Sequence, residues 1–74
     1  MKRSTWNTYD VTNDQRSAGG VDLHQVRRAK AGWQTRICQS NGRHRACGPV
    51  RPISDVEGEG RYFEAWLRLQ AAQA

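Results

Sequence analysis

Gly32-Trp33-Gln34-Thr35-Arg36-Ile37-Cys38-Gln39-Ser40-Asn41-Gly42-Arg43-His44-Arg45-Ala46-Cys47 is the stretch on which the fold turns. Its first half alternates. Trp33, Thr35 and Ile37 fall on one side, and Gln34, Arg36 and Cys38 on the other. Aromatic and β-branched types occupy the apolar side, which predicts a half-buried strand. Asn41-Gly42 follows, a dipeptide that tolerates positive φ and favours a hairpin. Residues 43–47 then return as a second strand, and Gly48-Pro49 ends it.

The turn sets the pairing. With Asn41-Gly42 as its two central residues, Ser40 opposes Arg43, Cys38 opposes Arg45 and Arg36 opposes Cys47. One face then carries Gln34, Arg36, Cys38, Arg43, Arg45 and Cys47. The other carries Trp33, Thr35, Ile37, His44 and Ala46. A three-residue turn with a bulge would place Arg45 beside Ile37 in the core. An unpartnered buried guanidinium is costly, so the first register is preferred.

Working outward, Val21 and Leu23 alternate with Asp22 and His24, which predicts a strand over 21–28. Ala29-Lys30-Ala31-Gly32 turns it into the next strand. Residues 48–61 hold both prolines and three glycines and read as a loop, with Ser54-Asp55-Val56-Glu57 as a helical turn or N-cap. Residues 61–73 are rich in helix formers. Tyr62, Ala65, Trp66 and Leu69 form their apolar stripe, with Phe63 beside it. This helix needs a surface for Trp66, and the sheet face bearing Trp33 and Ile37 supplies one. The expectation is an α+β fold: a small three-stranded antiparallel sheet packed against one C-terminal helix. Residues 1–20 show no period and end in Ser17-Ala18-Gly19-Gly20. They are expected to form a flexible N-terminal arm preceding a single domain over 21–74. Trp6 and Tyr9 either fold back on that domain or bind a partner.

Composition excludes several classes. A chain of 74 residues supports one domain and one thin core. It has no apolar run long enough to span a bilayer, and no apolar stretch follows the charged start as in a secretory signal. The helix carries Arg61, Glu64 and Arg68 and lacks a basic face, so no membrane partner is expected. There are only two cysteines, fewer than a secreted mini-protein of this size usually carries. A cytoplasmic location with both thiols reduced is therefore expected. In the preferred register, Cys38 and Cys47 stand only diagonally to one another.

Charge is the informative quantity. The net charge is +5, from 12 Lys and Arg against 7 Asp and Glu. Between Leu23 and Ser54 lie Arg27, Arg28, Lys30, Arg36, Arg43, Arg45 and Arg51, with no acid among them. Arginine dominates, and its planar fork suits phosphate and guanine. Segregation on one sheet face points to nucleic acid. Arg27, Arg28, Lys30, Gln34, Arg36, Arg43 and Arg45 are the candidate binding residues.

Val26-Arg27-Arg28, Gly32-Trp33-Gln34-Thr35-Arg36-Ile37, Asn41-Gly42-Arg43, Cys47-Gly48 and Glu64-Ala65 together resemble the small sheet-reading DNA-binding domain of the plant ethylene-response-factor family. The same module occurs in phage homing endonucleases, and a related one in the arm-binding end of some tyrosine integrases. The resemblance covers about residues 24–69. It implies three antiparallel strands backed by a helix, with the sheet in the major groove of double-stranded DNA. Arg27, Gln34 and Arg36 would contact bases or phosphates, and Arg43 would lie close to the backbone. The sequence departs from the pattern at three places. Arg36 stands where plant members often have an acid, the link from Pro49 to Gly60 is longer and more acidic, and Arg45 replaces an apolar residue.

No enzyme signature is present. His24 and His44 lack metal-ligand spacing with Cys38 and Cys47, so neither metal nor cofactor is expected. No phosphate-cradling glycine motif occurs. Two functions stay open. One is a DNA-binding accessory or transcription-regulating factor, of the kind common in phages and mobile elements. The other is a protein–protein regulator that docks on a host enzyme such as a polymerase or nuclease. It would use the aromatic arm and the acidic stretch Asp55-Val56-Glu57-Gly58-Glu59.

Overall fold

A computed structural model of the chain describes residues 1–14 and 19–73. It is α+β: an antiparallel sheet packed on one face by a C-terminal helix. The strands are β1 (Asn7–Asn13), β2 (Val21–Ala29), β3 (Gly32–Asn41), β4 (His44–Cys47) and β5 (Arg51–Pro52), and the helix is α1 (Asp55–Gln73). Strand order is β1-β2-β3-β4, and β5 also pairs with β3. The molecule is a two-layer slab of 34 × 32 × 17 Å.

Two strands exceed the expected three. β1 comes from the stretch read as an arm. It pairs with β2 from Asn7–Val26 to Asn13–Val21, with Tyr9 as an extra residue between Thr8 and Asp10. That bulge breaks the period, which is why no alternation is legible. The chain before it is also tied down. The Arg28 amide donates to the Arg3 carbonyl at 2.6 Å, and the Tyr62 hydroxyl donates to the Met1 carbonyl at 3.0 Å. Trp6 and Tyr9 therefore fold back on the domain. Ser17 and Ala18 of the glycine-flanked punctuation lie outside the described residues.

The β3–β4 register differs from the expected one. Asn41 pairs with His44, Ser40 with Arg45 and Cys38 with Cys47. The central turn residues are Gly42 and Arg43. Gly42 has φ +60° and no non-glycine residue among the described residues has positive φ, so glycine alone takes the left-handed position at the start of the turn. Moving the turn by one residue shifts the pairing by two and leaves every side chain on its expected face. It also brings the cysteines together. Their Cα atoms stand 3.9 Å apart and a disulfide joins them, so the expected reduced thiols and diagonal placement are overturned.

The helix begins earlier than residue 61. The Glu57 amide donates to Ser54 Oγ at 3.2 Å and the Gly58 amide to the Ser54 carbonyl at 2.8 Å, which caps a helix starting at Asp55. Gly58 and Gly60 lie inside it, although glycine weakens a helix interior. Gly58 has a packing reason. It is buried against Trp33, and a Cβ at this position would land on the indole. Tyr62 packs beside the same ring at 5.8 Å between centroids, and Ala65 is buried one turn on. Trp66 was expected to seek the sheet, yet it is exposed, because the inward stripe runs through Gly58, Tyr62 and Ala65. α1 covers the Trp33 end of the sheet and crosses toward Tyr9 of β1, where Arg61 lies 5.0 Å from the ring. Ile37, also expected beneath the helix, is beyond that crossing and 47% exposed.

The two helical glycines give opposite expectations. Gly58→Ala should lower stability in a urea melt by about 1–3 kcal/mol, the usual range for overpacking. Gly60→Ala meets nothing within 4 Å. It should raise stability by about 0.4–1 kcal/mol through the unfolded chain.

Candidate nucleic-acid interface

Strand pairing decides which side chains share the face opposite α1. Trp6 precedes β1 on this side. Across from it stand Arg27 of β2, Gln34 of β3 and Pro52 of β5. The next row is Thr8, Gln25 and Arg36. Beyond it come Val11, Leu23, Cys38 and Cys47, then Asn13, Val21, Ser40 and Arg45. The strand acids Asp10 and Asp22 pair in the rows that face the helix side. The open face therefore carries Arg27, Arg36 and Arg45 with no strand carboxylate among the described residues.

Trp6 organises the centre. The Arg27 guanidinium carbon is 4.5 Å from its ring centroid and that of Arg36 is 4.3 Å. An indole attracts each cation through its electron-rich face. Two glutamines then fix the guanidinium groups. Arg27 Nε donates to Gln34 Oε1 at 2.9 Å, and Arg36 Nε donates to Gln25 Oε1 at 2.8 Å. Gln25 is buried and also donates through Nε2 to Thr8 Oγ1 at 3.1 Å. Each arginine thus spends its Nε–H on a neutral brace, and its terminal N–H groups make no hydrogen bond to the described residues. Neither makes an ion pair among the described residues. Burial pushes the Arg36 pKa down, and the like charges of Arg27 and Arg45 push it further the same way. The cluster holds uncompensated positive charge, which an anion would relieve.

The other candidates scatter. Arg45 stands on β4 and Arg43 in the adjoining turn, both exposed at one edge of the sheet. Lys30 is exposed in the β2–β3 turn. Arg28 lies on the helix side, 5.9 Å from the Trp33 ring, and does not join the cluster. Trp6 and Gln25 belong to the site and were absent from the candidates. Trp6 fell in the stretch read as an arm. Gln25 fell where the alternation of β2 slips.

The disulfide places Arg45. All four residues of β4 are exposed and α1 does not reach them. Cross-linking to Cys38, which is buried, holds this short edge strand against β3. It also removes the argument from reduced thiols on which the cytoplasmic expectation rested.

No helix among the described residues is long and apolar enough to cross a membrane. No group of three or more potential metal ligands gathers among them. No family model, curated protein or solved structure matches the chain.

Replacing both cysteines by serine should cost about 2–3 kcal/mol, from the loop-closure entropy of so short a ring. Limited trypsin digestion checks the local consequence. Cleavage after Arg43 and Arg45 should be faster in that variant, while cleavage after Arg27 should follow global unfolding alone.

Proposed function

We propose that the protein binds double-stranded DNA through the open face of its sheet, as a non-enzymatic accessory or regulatory factor. One observation carries the reading. Arg27 and Arg36 are held by glutamines and an indole rather than by acids. A structural arginine is normally neutralised by a carboxylate. Here the forks are oriented yet uncompensated, as phosphate or guanine recognition requires. Orienting them beforehand also lowers the side-chain entropy lost on binding. The likeness to the ethylene-response-factor domain points the same way for Arg27, Gln34 and Arg36. Arg43 and Arg45 at the sheet edge are suited to backbone phosphates. Arg28, on the opposite face, has no part in this reading.

Docking on a host protein rested on the aromatic arm and the acidic stretch. Both are engaged within the fold. Trp6 lies against two arginines, Glu57 lies 3.9 Å from Arg61, and Glu59 lies 3.9 Å from Arg3. That engagement favours the DNA reading.

Fluorescence anisotropy of a labelled duplex tests it. Affinity should fall on the order of 100-fold or more between about 50 and 200 mM salt. Arg36→Ala and Arg27→Ala should each weaken binding by about 10-fold or more, within the 1–3 kcal/mol typical of such contacts, without loss of the thermal transition. Arg28→Ala should leave affinity nearly unchanged. Equal affinities for all three variants, or no binding at low salt, reject the open face as a DNA reader.

A further inference from the structure

The side of α1 turned away from the sheet is apolar, and no described residue covers it. Val56 is 86% exposed, Phe63 57%, Leu67 46% and Trp66 43%. Phe63 and Trp66 stack at 6.1 Å between centroids, with ring planes 18° apart. Val56, Gly60, Phe63 and Leu67 recur at steps of four, three and four residues. They form one straight seam opposite Gly58 and Ala65, with Trp66 along its edge. This is the spacing with which one helix meets another, and Gly60 at the seam permits close approach.

The charges beside the seam identify the second helix. Glu57, Glu64 and Arg68 flank Leu67 on one side. Arg61 already engages Glu57 and Glu64, whereas Arg68 makes no ion pair among the described residues. A parallel copy would turn this flank toward the partner's other flank, where Trp66 and Gln70 offer no charge to Arg68. An antiparallel copy sets Glu64 of each chain beside Arg68 of the other, twice over, through a two-fold axis. Antiparallel packing also opposes the helix dipoles favourably. A membrane surface fits less well, because it selects a basic flank and Glu57, Glu59 and Glu64 border this face.

We propose that the outer face of α1 is a self-association surface. A second copy of this chain packs antiparallel on it, with Phe63, Trp66 and Leu67 at the centre and reciprocal Glu64–Arg68 pairs at the flank. The helix and the basic cluster lie on opposite faces of the sheet. Association therefore leaves Arg27 and Arg36 uncovered, and the two copies present their open faces outward.

Sedimentation velocity of the full chain from about 1 to 200 µM is the test, a range that brackets micromolar association. The expected result is a monomer–dimer equilibrium. Leu67→Glu should sediment as a monomer throughout with its far-ultraviolet circular dichroism retained. Glu64→Arg and Arg68→Glu should each weaken association by about 10-fold, near 1.4 kcal/mol. The double swap should restore it. If Leu67→Glu fails to fold, the charge-swap series carries the test alone. A monomer at the highest concentration overturns the proposal. So does a dimer that Leu67→Glu leaves intact, or a double swap that does not rescue. Capture of a different protein by a strictly monomeric chain would assign the face to that partner and also overturn it. Binding of duplex DNA by monomeric Leu67→Glu is read separately, so failure here is distinguishable from failure of the DNA reading.

Discussion

The indole of Trp33 against the bare backbone of Gly58 is the contact from which the architecture follows. Burying an indole is worth about 4–6 kcal/mol by area, a large share of what so thin a slab can gather. The ring requires a helix close above it, and only glycine at position 58 lets the backbone come that near. Once the helix is seated there, its direction leads Tyr62 and Ala65 across the sheet toward β1. Phe63, Trp66 and Leu67 turn away as a consequence of helical geometry. One helix covers part of one face, and no described helix or strand covers the opposite face of the sheet.

An uncovered sheet face must be kept soluble, and this one uses arginine. A row of arginines without carboxylates repels itself, and partial burial makes this worse for Arg36. Trp6 and the two glutamines offset the repulsion without neutralising it. The amide oxygens accept one hydrogen bond from each fork, and the indole lies against both cations. A glutamate at position 25 or 34 would hold an arginine more firmly and would also cancel its charge. Neutral braces preserve both the orientation and the field. The disulfide complements this arrangement by tethering Arg45 on an edge strand that pairs with β3 and that α1 does not reach.

Much of this was legible from residue order, and the gaps have physical causes. The clean alternation of Trp33 to Cys38 follows the two-residue period of a strand and assigned Arg36 and Gln34 to the face opposite Trp33. Burial does not track it, since Cys38 is buried on that face and Ile37 is exposed on the other. β1 escaped notice because the extra residue at Tyr9 shifts the pattern midway. The helix start was hidden by Gly58 and Gly60, which local propensity reads as loop and which tertiary contact with Trp33 overrides. Ser54 and Glu57 carried the cap signal in plain view. Trp66 misled because a tryptophan at helical spacing suggests a core position, while the inward side was taken by smaller residues.

The sequence by itself determined the α+β class, the β2–β3–β4 meander and the side on which each residue of β3 and β4 points. Those follow from a two-residue period and from turn chemistry, both local properties. The tertiary structure alone decided that Trp6 would join Arg27 and Arg36, that Gln25 would brace a neighbouring strand, and that Cys38 would meet Cys47. Each joins residues whose meeting depends on register and bulge. A shift of one turn residue, invisible to the alternation, separates a diagonal cysteine pair from a covalent bond.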